Sequence, residues 1–375
     1  MRGKMSKARQ LIETLAEGID VKINGDRPWD IRVHEEQFFN RVAQEGSMGL
    51  GLSYMDGWWD CDALDELFFR IVRGKIREKI TQNKHNFWLL LLSKYFNFQG
   101  KSKAREVAEV HYDLGNDLYQ AMLDKHMAYS CGYWKGATTL DEAQTNKLDL
   151  VCKKVGLKKG DCLLDIGCGW GSLAKFAAEN YGAEVVGVTV SYEQYQLAKE
   201  RCKGLPVDIR LQDYRDVNEK FDRIISIGMF EHVGHKNYRE YMEVASRCLK
   251  EDGLFCLHTI GQDISSYAAD AWVDRFIFPN GMVPSIQQLS KAAEGLFIME
   301  DWHNFGQYYD LTLMAWFEKF HAAWPSLKQH YDDRFYRKWE YYLKMFAGNF
   351  RARRLQLWQV VFSKHGQVGG YQSIR

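Results

Sequence analysis

The stretch that most constrains this chain is Leu163-Leu164-Asp165-Ile166-Gly167-Cys168-Gly169-Trp170-Gly171. An apolar run with the look of a short buried strand ends at Asp165. Three glycines follow at alternate positions, and Leu173–Tyr181 carries the apolar spacing of a helix. The pattern predicts a strand, a glycine loop and a helix in succession. Glycine permits the tight turn and lets the backbone approach a ligand, and the helix N-terminus presents free N–H groups beside it. Such a corner suits a nucleotide-like cofactor; the bland alternative is a glycine-rich turn with no ligand. A dinucleotide fingerprint needs its third glycine three residues after the second, and this chain has Ser172 there.

The spacing Asp-x-Gly-x-Gly-x-Gly over residues 165–171 resembles the first motif of the S-adenosylmethionine-dependent methyltransferases. The elements downstream keep the order such a fold needs. Strands are predicted at Glu184–Val188, Val207–Leu211, Phe221–Ile227 and Leu254–His258, with helices at Tyr192–Cys202 and Tyr238–Leu249 between them. Two further strands, Leu296–Asp301 and Leu355–Phe362, come later, the last after a long helical region. This alternation predicts a doubly wound, mostly parallel sheet with helices on both faces. Ligands of such sheets bind outside the carboxyl ends of the strands. The residues to interrogate are therefore Asp165 and Gly167, Thr189, Asp213, Phe230 and Glu231, Thr259 and Ile260, and Trp302 and His303.

A chain of 375 residues is long enough for two domains, and 46% hydrophobic residues with five prolines describe a folded protein. A formal charge of +1 leaves no globally basic surface, so no nucleic-acid partner is expected. The eight cysteines include no Cys-x-x-Cys pair, which gives no expectation of a metal site and points to a reducing cytoplasm. The first residues are charged and lack a long apolar core, unlike a secretion signal. The longest apolar run, Phe87–Leu92, is far shorter than the ~20 residues that span a bilayer.

Before the glycine corner, residues 6–19 have helical spacing with Gly18 as a stop, and Val21–Ile23 before Asn24-Gly25 predicts a strand entering a tight turn. Phe38–Phe69 mixes glycines with aromatics, most of them expected in a core, including Trp58 and Trp59. From Arg73 to Arg105 nine Lys or Arg face one acid, Glu78, and bracket Phe87–Leu92. Such a segment can lie on an anionic membrane, where half of these cations would contribute about 4 kcal/mol. An ordinary interdomain helix with a solvated charged face has the same composition. His111–Asp117 and Tyr129–Trp134 precede the first strand of the nucleotide fold and are expected as a lid or wall over its ligand.

Glu231-His232-Val233, Leu257–Gly261, Phe276–Gly281 and Asp301–Asn304, added to the two upstream motifs, resemble the cyclopropane-fatty-acyl-phospholipid synthases. The resemblance extends through Gly46–Gly51 and Tyr54–Trp59 and so covers nearly the whole chain. It implies a class I methyltransferase, Rossmann-like α/β fold with a seven-stranded sheet and a small, mainly helical N-terminal domain. The boundaries expected are a lipid- or membrane-associated domain over 1–95, a basic and aromatic linker to about 105, and a catalytic domain over 106–375. The implied reaction is methylene transfer from S-adenosylmethionine to the cis double bond of an unsaturated phospholipid acyl chain. A homodimer, peripherally associated with the inner face of the membrane, is likewise what the resemblance implies.

The family's cofactor positions fall on Tyr129 and Ser130, on the loop holding Asp165, Gly167, Gly169, Trp170 and Gly171, on Thr189 and Gln194, and on Asp213 and Tyr214. Many methyltransferases end the second strand with an acid that grips the ribose; Val188-Thr189 has none, which makes Gln194 the ribose partner. By the same resemblance Cys131, Glu231, His258, the Ile260 N–H and Tyr309 surround a bound bicarbonate. Read without it, Cys131 is equally a small buried hydrophobe and His258 a satisfied strand-end histidine. Many family members carry a cysteine in the C-terminal helix where this chain has Phe346, so a covalent thiolate at that position is excluded.

The chemistry accounts for these residue types. An alkene attacking a sulfonium methyl leaves a carbocation that must lose a proton before water captures it, so the site must be dry and hold a mild base. Aromatic faces stabilise a passing cation by roughly 0.5–2 kcal/mol each. Tyr133, Trp134, Phe276 and Phe278 are candidates, each equally at home in a core. A related C-methyltransferase giving a methyl-branched or hydroxylated product has the same motifs. A lipid-binding protein that keeps the cofactor without turnover would need no base.

Overall fold

The computed structural model describes residues 6–76 and 115–375, which fall into two compact units. His111–Leu114 and all of the basic segment beyond Ile76 lie outside the described residues.

The first unit begins with helix α1 (Lys7–Glu17), where the Ser6 hydroxyl accepts the Arg9 amide at 3.1 Å and Gly18 follows the last turn. Val21–Ile23 makes only an isolated bridge, Ile23 to Ile31, instead of a strand; Asp30 takes the Lys22 amide at 2.7 Å and folds the segment into a loop. The short strands β1 (Arg32–Val33) and β2 (Trp59–Asp60) pair antiparallel around helices α2 (Gln37–Glu45) and α3 (Ser47–Met55), and α4 (Leu64–Arg73) follows. Two later pieces of chain, 270–279 and 313–354, belong to this unit, so it is not one continuous segment. They bring α10 (Ala271–Phe276), most of α12 (Gln307–Leu327) and α13 (Asp333–Arg351). The core is aromatic: Trp59 packs on Tyr54 and Phe38, and Tyr341 on Tyr54 and Trp272. A Cβ on Gly51 would stand 2.4 Å from the Trp272 ring, so a glycine in α3 is what lets that indole close on the helix. Phe278 also lies here, edge-on to Tyr342 and to Phe346.

The second unit opens with α5 (Asn116–Met122) and α6 (Leu140–Lys154), the latter held by a capping box between Thr139 and Glu142. Then come β3 (Cys162–Ile166), α7 (Ser172–Tyr181), β4 (Glu184–Thr189), α8 (Tyr192–Arg201), β5 (Val207–Leu211) and β6 (Phe221–Ile227). The chain continues through α9 (Tyr238–Cys248), β7 (Leu249–Gln262), α11 (Ile286–Ala293), β8 (Ile298–Asn304), the start of α12 and β9 (Leu355–Ser363). The sheet has seven strands in the order β5-β4-β3-β6-β7-β9-β8. β3 to β7 run parallel and β9 is antiparallel to both β7 and β8.

Alternation along the central strands builds two cores from one sheet. Leu164, Ile224, Phe255, Leu257 and Phe362 pack on one face, and Leu163, Val185, Ile225, Cys256 and Val361 on the other. β3 lies between β4 and β6, so its neighbours are reached in opposite directions and their loops part at its carboxyl end. That is the crevice where ligands of such sheets bind.

Two strands run past the bounds expected from sequence. Antiparallel pairing with β9 carries β7 to Gln262 and β8 to Asn304, so Thr259, Ile260, Trp302 and His303 sit inside strands, not after them. The parallel neighbour β6 stops at Ile227 opposite His258, which leaves the later β7 residues beyond its end.

Candidate active site

The glycine corner forms as expected, with each glycine placed differently. Gly169 has φ +53° and a Cβ built on it meets no atom of the described residues within 4 Å, which is the open space a ligand against the loop requires. A Cβ on Gly167 would stand 2.6 Å from the Met229 side chain, where the loops after β3 and β6 approach. A Cβ on Gly171 would stand 3.1 and 3.3 Å from Cys202 and Ala198, so its small size serves packing on α8. Trp170 is buried against Tyr119, and its carbonyl accepts from Arg201 at 2.7 Å.

Beneath this loop is a buried polar group. Asp165 is fully enclosed, its Oδ2 has no hydrogen-bond partner, and burial pushes its carboxyl up to about 7, against the opposing pull of Lys147. Lys147, on the inner face of α6, donates to the Ser130 hydroxyl at 2.9 Å, and burial brings its ammonium down to about 8. Gln144, one turn earlier, donates to the Ser130 carbonyl at 2.7 Å. Tyr129, on the same loop, lies edge-on to Tyr119.

At the next strand end, the Thr189 hydroxyl lies 3.0 Å from Gln194 Oε1 and Ser191 caps α8, so the Gln194 amide is held in place from below. Asp213 is engaged otherwise: its carboxylate caps the turn at Tyr214 and pairs with Arg215 at 2.6 Å. Tyr214 is buried on Tyr241.

The second cluster lies where β6 ends beside the continuing strand β7. Glu231 is in the turn after β6; its Oε1 accepts the Ile260 amide at 2.6 Å and its Oε2 is buried without a partner. The amide expected to hold an ion directly thus holds Glu231. Burial raises the Glu231 carboxyl to about 7. His258 is buried, its Nδ1 lies 3.2 Å from Gln359 Nε2, and its Nε2 has no partner. Burial, with Lys147 and Lys154 nearby, holds that ring neutral.

Cys131 is fully buried, which keeps it a thiol, and its Sγ is 3.9 Å from the Thr312 hydroxyl. Thr312 also accepts from the Gly132 amide at 3.0 Å and the Trp134 indole at 2.9 Å, fastening the loop to α12 one turn from Tyr309. Tyr133 is packed edge-on to His303, Phe305 and Tyr308, the packing of a core residue. Phe276 and Phe278 belong to the first unit.

Sequence reading missed Lys147, Gln144, Thr312 and Gln359. Two of them carried a signal: Gln359 interrupts the apolar run Leu357–Phe362, and Lys147 follows Gln144 by three residues on the buried face of α6. Among the described residues no group of His, Cys, Asp and Glu is placed to hold a metal ion, and no helix is long and apolar enough to cross a membrane.

Residues 99–360 match the Mycolic acid cyclopropane synthetase family. The chain is 54% identical over 349 residues to the cyclopropane-fatty-acyl-phospholipid synthase of Escherichia coli K12, covering 93% of this chain and 91% of that one. It is 32% identical to a probable fatty acid methyltransferase of Pseudomonas putida, covering 89% of this chain and 86% of that one. Among solved structures, the cyclopropane synthase MmaA2 of Mycobacterium tuberculosis superposes with TM-score 0.64 at 30% identity, covering 72% of this chain and all of the other. Mycolic acid cyclopropane synthase CmaA1, solved with SAH and CTAB, gives TM-score 0.64 at 31% identity over 71% of this chain and 99% of the other. With a glycine corner open at Gly169, an enclosed Asp165 beneath it and this sequence similarity over nearly its full length, the chain belongs to the cyclopropane synthase family of S-adenosylmethionine-dependent methyltransferases.

Proposed function

We propose that this enzyme transfers a methylene group to the cis double bond of an unsaturated acyl chain in a membrane phospholipid, leaving a cyclopropane ring, with bicarbonate as the base. The observation that carries the reading is the pair of buried, unpartnered polar atoms Glu231 Oε2, in the turn after β6, and His258 Nε2, on the adjoining strand β7. Leaving such atoms unpaired costs roughly 1–3 kcal/mol each, which a small polar ligand repays. The 54% identity to the Escherichia coli phospholipid synthase supports the substrate class.

When bound, S-adenosylmethionine supplies an electrophilic methyl and bicarbonate a proton acceptor. In the overall change the S–C electron pair stays on sulfur, the alkene pair forms the first new C–C bond, and loss of one methyl proton frees the pair that closes the ring. The protein's part is to bind, orient and keep dry. Asp165, with Ser130 held by Lys147 and Gln144, offers polar partners for the cofactor's charged amino-acid end. Thr189 holds Gln194 toward the ribose. A protonated Glu231 donates to an oxyanion, as do neutral His258 through Nε2 and Tyr309 through its hydroxyl; Cys131 adds a weak donor. Ile260 serves through Glu231. A base held as a separate ion also spares Glu231 from alkylation by the cation.

We further infer a peripheral enzyme at the inner membrane face, docked by the basic segment 73–105, and a homodimer. The test is incubation with S-adenosylmethionine and unsaturated phospholipid vesicles, followed by mass analysis of the acyl chains. Gain of one methylene per double bond with loss of the alkene supports the reading; a methyl-branched or hydroxylated product replaces it. Full turnover by demonstrably ion-free enzyme in bicarbonate-free buffer removes bicarbonate from the mechanism.

A further inference from the structure

His258 on β7 stands directly opposite Gln359 on β9, and directly opposed residues of an antiparallel pair share a face of the sheet. Both are buried, and Gln359 Nε2 lies 3.2 Å from His258 Nδ1. An amide nitrogen has only hydrogens to give, so Nδ1 must accept through its lone pair. A neutral imidazole carries one proton, which then resides on Nε2. That is the atom left without a partner.

We propose that Gln359 is a positioning residue that fixes His258 in its Nε2–H tautomer, so that the histidine meets the bound oxyanion as a hydrogen-bond donor and not as a competing base. The proposal rests on the oxyanion reading of the Glu231 and His258 cluster.

The opposite amide orientation would turn Gln359 Oε1 toward Nδ1–H. It would leave both amide N–H donors of Gln359 buried without a partner, where the present one leaves Oε1 and one N–H so, and His258 Nε2 is unpartnered in either. It would also aim the Nε2 lone pair at an anion. The other charged or titratable groups packed around the ring do not supply a competing partner for Nδ1. Lys147 and Lys154 on α6 act on it only through their charge, Glu231 follows β6 and is bonded to Ile260, and His303 on β8 faces Gln359 from the other strand with its Nδ1 at Lys154. The placement also explains why a polar side chain interrupts the apolar run of β9.

The experiment combines a spectroscopic and a kinetic arm. In histidine-labelled ¹⁵N wild type with S-adenosylhomocysteine bound, long-range ¹H–¹⁵N correlation should give His258, assigned against His258→Asn, a bare Nδ1 and a protonated Nε2. A protonated Nδ1 overturns the proposal. Gln359→Leu should lower turnover about tenfold and raise the bicarbonate concentration for half-maximal rate, with S-adenosylhomocysteine affinity unchanged. Unaltered turnover and bicarbonate dependence in folded Gln359→Leu also overturns it. Should that variant not fold, the wild-type spectrum decides alone. Should ion-free wild type prove fully active, the oxyanion reading fails while the spectrum still decides what Gln359 does to His258.

Discussion

Glu231 Oε1 accepts the Ile260 amide at 2.6 Å while Oε2 of the same carboxyl is buried without a partner. One oxygen joins the turn after β6 to β7, and the other is the one that the proposed oxyanion would meet. Because burial raises this carboxyl to about 7, the group is poised near neutrality between proton donor and anion.

Glu231→Gln tests that burial. The folded pKa, about 7, lies above the ordinary 4.5, so the contribution of this group to stability is fully present below 4.5 and is lost as pH rises through 7. Glutamine lacks the proton to lose. The stability of the variant relative to wild type should therefore increase with pH across that window, by up to about 3 kcal/mol. Urea denaturation at a series of pH values measures it, and parallel profiles refute it. Turnover should fall by about 10²-fold with cofactor affinity little changed.

Lys147 and Asp165 make a second buried pair, the lysine brought down to about 8 and the aspartate up to about 7, both by burial. Lys147→Met removes the one cation that opposes the rise at Asp165 and frees Ser130. Asp165 should then ionise only at higher pH. Calorimetric S-adenosylhomocysteine affinity should weaken by about tenfold near neutrality and recover toward alkaline pH. A uniform loss at every pH would assign Lys147 a packing role alone.

Gly169→Ala places a methyl group in space that the described residues leave open. The left-handed backbone there, φ +53°, adds roughly 1–2 kcal/mol of strain for any L residue. The variant should fold with a slightly lower melting temperature and bind S-adenosylmethionine at least about tenfold more weakly. Unchanged affinity by calorimetry would take this loop out of the cofactor site.

Charge reversal at Lys75, Lys84 and Lys94 should reduce sedimentation with anionic vesicles, and added salt should do the same to wild type, since exposed charges are screened over about 10 Å at 0.1 M. Salt-insensitive binding, equal for neutral and anionic vesicles, would remove this segment from membrane docking.

The parallel half of the sheet and its glycine corner were legible in the sequence because both are local. Strand period, helix spacing and the glycines at 167, 169 and 171 are set by near neighbours, and β5 and β6 fall on the bounds their apolar runs predict. The ordered motifs carried the family and, through it, the site residues. What the sequence could not contain was pairing between distant segments. β7 and β8 overrun their apolar runs because β9, arriving late in the chain, supplies hydrogen bonds that local pattern does not announce. The first unit reclaims 270–279 and 313–354 for the same reason: Tyr341 and Trp272 find their burial against α3, hundreds of residues away, which no single cut near residue 105 could describe. The finer chemistry is likewise tertiary. Glu231 and His258 were nameable as residues, but that one carboxyl oxygen is taken by Ile260, that Thr312 fastens the Cys131 loop, and that Gln359 stands against His258 depend on strand register and burial, which decide where each proton and each unpaired atom must be.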